Sequence, residues 1–413
     1  MRWYGPCDFV TSLDRGKRMS EIFVPGEFYG VGDPTRPPRA MIAPPKYIQG
    51  AGVLDHTAHY LGLLGYERYG ILASRRGHGA EAGRVADGLT RAGGQAVAAV
   101  FDGECSLPEI EQHSAALSDA EVDCVIAVGG GKCVDAGKCV AERVGVPVVI
   151  VPTLASNDAP CSALSVVYTP EGVMNGAEFF PNNPVLVVVD TAVVASASAR
   201  YLVAGMGDAM ATWYEARVCA ANPEGRNVLG TRPTMAACAL GQLCASTLFE
   251  QGVQACADVH TGQVTQALDD VVEANTLLSG VGFESGGLAG AHGYAQGYTN
   301  VGHVEENFLH GEMVAMGVTA QLMMEKDPDE ARRVATFFAQ VGLPITLEQI
   351  GMHSDARADI EAVVEGAGSF APFANLPFEV TPDKIRSGML EGDALGRTVV
   401  ASVGDAAYRR LQD

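Results

Sequence analysis

Short apolar, β-branched runs alternate with amphipathic stretches through the first half of the chain. YGILAS at 69–74, QAVAAVF at 95–101, CVIAVGG at 124–130, PVVIVPT at 147–153 and VLVVVD at 185–190 have the length and composition of buried strands. HGAEAGRVADGLTRAG at 78–93 and LPEIEQHSAALSD at 107–119 read as helices between them. Strand and helix alternating at this pitch predict a mainly parallel sheet covered on both faces. The segment SALSVVYTPEGVMNGAEFF at 162–180 breaks the pattern: two extended runs around Pro170-Glu171-Gly172 predict a hairpin that leaves the sheet. From about Ser198 the strand pattern stops, and long helical segments such as 234–259 take over. The expected organisation is an α/β domain over 41–197 and an all-α domain over 198–413. Residues 1–40 form an N-terminal extension, set off by the Pro-rich GVGDPTRPPRA.

Composition narrows the partners. A length of 413 residues accommodates two domains of ordinary size, and 47% apolar content fits a folded, soluble chain. The formal net charge of −21 disfavours nucleic acid and anionic membrane surfaces, which its field would repel, and leaves small molecules open. Ten cysteines are spread through the chain with no C-x-x-C pair, so reduced thiols are expected. Cys124, Cys133, Cys139 and Cys161 fall in apolar surroundings and read as small hydrophobes, which disfavours thiolate-held zinc. No run reaches the about eighteen apolar residues of a membrane span, and MRWYGPCDFVTSLDRGKRMS lacks a signal peptide's apolar region. A cytoplasmic location is expected.

Chemistry concentrates at two neighbouring strand ends. Gly129, Gly130 and Gly131, then Lys132 and Asp135, let backbone N–H groups approach an anion at a helix N-terminus; a pyrophosphate fits, although such glycines also make plain βα turns. The loop from Pro152 to Pro160 offers hydroxyls, an amide and the carboxylate of Asp158 at the next strand end, or else a proline-capped Asx turn. In the helical half, Asp208, His292 and His310 are the residue types of an open divalent-metal site. Singly, each also reads as a helix cap or a structural histidine. No Lys or Arg occurs from Pro233 through Glu325. A pocket built there would lack the cations that grip phosphorylated or polycarboxylate substrates, so a neutral polyol or alcohol fits better.

These residues, with PPKYIQGAGVL at 44–54, VGGGKCVDAGK at 128–138, PTLASNDAPCSALSVVYT at 152–169, VDTAVVASASARYLVAGMGDA at 189–209, SGVGFESGGLAGAH at 279–292 and FLHGEMVAMG at 308–317, resemble the glycerol dehydrogenase branch of the iron-containing, group III alcohol dehydrogenase superfamily. The resemblance runs from about Met41 nearly to the C-terminus. It implies a Rossmann-like dinucleotide-binding domain, a helical domain and a zinc in the cleft between them, an architecture shared with dehydroquinate synthase. It also implies assembly into homo-oligomers. Asp208, His292 and His310 become the implied metal ligands, and Asp158 the implied substrate contact. Gly130, Gly131, Lys132, Asp135, Thr153, Ser156, Ser162, Leu164, Val166 and Tyr168 become the implied cofactor contacts, with Ser74 at the adenosine end.

Two departures matter. Iron-dependent members place a histidine four residues after the aspartate ligand, where this chain has Thr212, which favours zinc. After the first strand of the cofactor domain the family usually has an acidic residue, whereas this chain reads Ala73-Ser74-Arg75-Arg76; two cations there suit a 2′-phosphate, so NADP is a possible cofactor beside NAD. The expected activity is zinc-dependent, NAD(P)-linked oxidation of a small polyol or vicinal diol, with glycerol to dihydroxyacetone as the leading reaction. Rivals are a 2-hydroxycarboxylate or glycerol-1-phosphate dehydrogenase, a dehydroquinate synthase-like lyase, and a non-catalytic binding protein.

Overall fold

Six strands pair in parallel in the computed structural model, which describes residues 23–33 and 35–412. They are β1 (Tyr47–Gly50), β2 (Arg68–Ser74), β3 (Gln95–Phe101), β4 (Cys124–Gly129), β5 (Val148–Pro152) and β8 (Leu186–Asp190), in the order β1-β8-β5-β4-β2-β3. Strands β4, β5 and β8 are buried at every residue, which is why they read as unbroken apolar runs. The predicted hairpin is present: β6 (Leu164–Tyr168) and β7 (Met174–Phe179) pair antiparallel outside the main sheet.

Differences from the sequence-based expectation are local. The helix expected over 78–93 is two pieces, Arg75–His78 and Glu81–Arg91, interrupted at Gly79 and Ala80. Strand β1 was not expected; it is short, half-buried, and lies at the sheet edge beside β8. After Asp190 every regular element among the described residues is helical.

Alternate residues of each central strand feed two apolar clusters. Ile126, Val149 and Val188 join Val85 and Leu89 of the helix Glu81–Arg91 on one face. Val125, Ile150 and Val187 face the other way, into a cluster that continues through Met206, Leu248, Tyr294 and Phe338 of the helical half. One core therefore links the sheet to the helices.

Of the predicted N-terminal extension, residues 1–22 lie outside the described residues. Its last part is fastened to the helical half: Arg232 N donates to Pro38 O at 2.9 Å, and Ala40 N to Thr231 Oγ1 at 3.2 Å. The nine cysteines described are all free thiols; Cys7 lies outside the described residues. No helix among the described residues is long and apolar enough to cross a membrane.

Candidate active site

The strand order reverses between β2 and β4, so the carboxyl ends of these strands open a crevice of the kind that receives ligands in open α/β sheets. Ser74 ends β2 and Gly129 ends β4, and a Cβ on Gly129 would lie 3.3 Å from Ser74 Cβ and 2.7 Å from Cys133 Cβ. None of Gly129, Gly130 and Gly131 has a positive φ. These glycines are therefore required for close packing of turn, strand and helix rather than for a left-handed backbone. The helix Gly131–Val144 starts here with no acidic residue in its first turn, leaving a favourable end for an anion. Thr153 N donates to Gly129 O at 3.0 Å, tying the second loop to the first.

The implied cofactor residues divide into two groups. Leu164, Val166 and Tyr168 alternate on the half-open side of β6, while Ser165 and Val167 are buried. Asp135 and Ser162 turn inward onto Lys138, whose buried ammonium lies 3.0 Å from Asp135 Oδ1 and donates to Ala159 O at 2.9 Å, Ser162 Oγ at 3.3 Å and Leu164 O. Asp135 Oδ2 also accepts from Val166 N at 3.2 Å. This knot fastens the Asp158 loop and hairpin to the glycine-loop helix. Lys132 pairs with Glu104 at 2.5 Å and lies over the Tyr168 ring. Ser74 caps the short helix after β2, accepting from Gly77 N at 3.3 Å. Arg75 is engaged by Asp102, just beyond β3, with Nε donating to Oδ1 at 2.9 Å. Ser156 is half-buried in the loop beside Asn157.

Across the crevice, three helices bring Asp208, His292 and His310 together, with one ligand atom from each within 4.8 Å of the others. Asp208 is buried in the middle of the helix Ala199–Ala221, while His310 begins the helix His310–Met324. Glycines permit the crossing: a Cβ on Gly311 would lie 1.8 Å from Ala204 O, and one on Gly207 would lie 2.2 Å from Gly311 O. His292 lies in the first turn of the helix Gly290–Tyr298, and Glu215 caps that end. Glu215 Oε1 accepts from Ala289 N at 2.8 Å and His292 N at 2.9 Å, and Oε2 meets His292 Nδ1 at 2.6 Å. The Nε2 atoms of His292 and His310 are thereby left 3.4 Å and 3.5 Å from Asp208 Oδ1.

Asp158 joins the two sides. Its N–H donates to Asp208 Oδ2 at 3.3 Å, and its Oδ2 accepts from Ser279 Oγ at 2.7 Å. A π-turn at Ala274–Leu278 precedes Ser279. Within it, Asn275 Nδ2 donates to Ala155 O and Leu202 O, both at 3.0 Å, clamping the loop after β5 to the Asp208 helix.

Residues 44–191 match the family model described as iron-containing alcohol dehydrogenase. Glycerol dehydrogenase of Escherichia coli O6:H1 is 43% identical over 361 residues, which cover 87% of this chain and 98% of the relative. The chain belongs to the iron-containing alcohol dehydrogenase family. Glycerol dehydrogenase of Thermotoga maritima is 42% identical over 86% of this chain and 97% of its own. A crystal structure described as a probable glycerol dehydrogenase from Sinorhizobium meliloti 1021 superposes with a TM-score of 0.81 at 39% identity, covering 87% of this chain and 100% of that one. The protein is thus an oxidoreductase of the alcohol dehydrogenase class, glycerol dehydrogenase-like in sequence and architecture.

Membership of the iron-containing alcohol dehydrogenase family implies a metal ion and NAD, and the donor set fits a divalent cation. Asp208 Oδ1 is buried and makes no hydrogen bond, yet it faces two imidazole nitrogens. Two nitrogens and one carboxylate oxygen leave coordination positions open for substrate. Burial opposes charge on Asp208, but His310 and His292 overcome it and hold this carboxyl below its ordinary range. Burial and the Asp208 charge push Asp158 well above its own. For His292, burial favours the neutral ring, but Glu215 and Asp208 outweigh it and raise its pKa well above the usual value.

Three residues the sequence reading left out hold this site in place: Glu215, Lys138 and Ser279. Each is buried although polar. Ser279 and Lys138 stand inside motifs that the family resemblance already singled out; Glu215, in a helix of mixed residues, has no comparable sign.

Proposed function

We propose that this protein is an NAD(P)-linked, zinc-dependent dehydrogenase of small polyols, with oxidation of glycerol to dihydroxyacetone as its principal reaction. The observation that carries the reading is the hydrogen bond from Asp158 N to Asp208 Oδ2, which supports a carboxylate substrate contact beside the three residues that would hold a metal. The pairing of Lys132 with Glu104, Lys138 with Asp135 and Arg200 with Glu312 supports a neutral substrate. Thr212 in place of a fourth protein ligand supports zinc over iron.

Asp208, His292 and His310 would hold the cation, and Glu215 would keep His292 in the tautomer that presents Nε2. A divalent cation there supplies Lewis acidity, lowering the pKa of a bound hydroxyl as zinc lowers that of water to about 7, so no strong side-chain base is required. Asp158 would accept hydrogen bonds from non-reacting hydroxyls and orient the polyol. The Gly129–Lys132 turn would hold the pyrophosphate, and the open side of β6 would position the nicotinamide, which accepts the hydride. The hydroxyl proton leaves to solvent. Assembly into a homo-oligomer and a cytoplasmic location belong to the same proposal.

Initial rates of the zinc-loaded protein, measured with NAD and with NADP over glycerol, propanediols and 2-hydroxy acids, test the reading. Highest kcat/KM on glycerol or a vicinal diol is the expected result. Absence of turnover across that matrix refutes it.

A further inference from the structure

Thr212 stands four residues after Asp208, on the same side of its helix, and it is buried. Its Oγ1 lies 2.8 Å from Ser279 Oγ, which in turn lies 2.7 Å from Asp158 Oδ2. A serine hydroxyl has one proton. When Asp158 is ionised, Ser279 donates it to the carboxylate, so its oxygen accepts from Thr212 and the row of three runs Thr212 to Ser279 to Asp158. Asp158 is held at its backbone as well, by Asp208 Oδ2 at 3.3 Å. These contacts occupy Oδ2 and leave Oδ1 for a ligand.

The local sequence is shaped for this row. A Cβ on Gly280 would lie 2.9 Å from Asp158 O, and one on Gly282 would lie 2.6 Å from Thr212 Cγ2. Ser-Gly-Val-Gly at 279–282 therefore lets one helix press against Thr212 and Asp158 together, directly after the π-turn. We propose that Ser279, backed by Thr212, is a positioning residue that fixes the Asp158 carboxylate against the third hydroxyl of glycerol, the one outside the reacting vicinal pair. The proposal rests on the reading of Asp158 as the substrate contact. Thr212 thereby has a role of its own at the position where iron-dependent relatives carry a metal ligand. The row makes the chain discriminate between diols and triols.

Glycerol and 1,2-propanediol differ by that hydroxyl, so the pair isolates the effect. Ser279→Ala is expected to lower kcat/KM for glycerol about 10-fold, the scale of a hydrogen bond to a charged group, and for 1,2-propanediol less than about 2-fold. Thr212→Val, which keeps the shape of the side chain, is expected to act in the same direction with a smaller effect, and it tests the row if Ser279→Ala does not fold. Zinc affinity, measured by competition with a chelator, is expected to stay within about 2-fold of the parent in both variants, because no metal ligand is touched. Asp158→Asn is the reference, and the double variant with Ser279→Ala is expected to be no worse than Asp158→Asn alone. Equal losses on glycerol and 1,2-propanediol, or a weakened zinc site, overturn the positioning role. If Asp158→Asn itself fails to separate glycerol from 1,2-propanediol, the assignment of Asp158 is what fails, and the proposal falls with it.

Discussion

Glu215 Oε2 lies 2.6 Å from His292 Nδ1, and Oε1 of the same carboxylate accepts the backbone N–H of His292 at 2.9 Å. One buried side chain therefore sets both the position and the tautomer of a metal-ligand candidate. In Glu215→Gln an amide N–H can face Nδ1, which favours the tautomer with its proton on Nε2, the atom turned to Asp208. Zinc affinity is expected to fall about 10- to 100-fold, the usual cost of losing such a partner. Chelator competition on the purified variant measures it, and unchanged affinity would remove Glu215 from the metal site.

Gly129 lies between two rigid neighbours. An added Cβ would meet Cys133 Cβ at 2.7 Å and Ser74 Cβ at 3.3 Å, so Gly129→Ala forces the ends of β2 and β4 apart. Overpacking of this kind typically costs about 1 to 3 kcal/mol. Both the thermal midpoint and the affinity for NAD are expected to drop, measured by scanning calorimetry and by isothermal titration calorimetry. A variant that binds NAD as the parent does would show that the crevice lies elsewhere.

Asp102 holds Arg75 at the adenosine end of the proposed cofactor crevice. Removing that carboxylate frees a guanidinium for a 2′-phosphate and takes away a repulsive charge. Asp102→Ala is expected to shift the NADP to NAD ratio of kcat/KM toward NADP by about 10-fold, one charge-assisted contact. An unmoved ratio would show that Arg75 does not reach the ribose.

Glu284 is buried, accepting from Ala163 N at 2.7 Å and from Asn183 Nδ2 at 2.9 Å; burial nonetheless raises its pKa from 4.5 to about 7. The folded chain therefore keeps this proton over a range where the unfolded chain releases it. The Glu284 contribution is fully present below about pH 4.5, declines as pH rises, and is lost above about pH 7. Glu284→Gln cannot ionise, so its deficit in unfolding free energy relative to the parent, measured by denaturant titration, should narrow between pH 5 and pH 8 by an amount on the order of a few kcal/mol. A constant gap across that range contradicts the assignment.

Strands β2, β4, β5 and β8 are legible in the sequence because burial leaves runs such as VIAVG and LVVVD without polar interruption; β3, at the sheet edge and buried only at Phe101, is legible from the apolar composition of QAVAAVF instead. The four residues of β1 are not, since YIQG is half-buried at an edge and carries no such signature. Asp208, His292 and His310 stand out by residue type, and the family resemblance groups them. What brings the Asp208 and His310 helices together is a pair of glycine contacts, Gly207 against Gly311 and Gly311 against Ala204, that no periodicity announces. Glu215 reads like any helical glutamate until its depth is known. The π-turn before Ser279 has no compositional mark either, because ANTLL would sit equally well in an ordinary helix.

The apolar cluster that passes from Val125, Ile150 and Val187 into Met206 and Tyr294 has an entropic consequence. Asp158 comes from a loop of the sheet and Asp208 from a helix, yet their relative placement is fixed when that common core consolidates. The ordering cost of assembling the two banks of the crevice is met during folding, and a substrate arriving later meets a preorganised site.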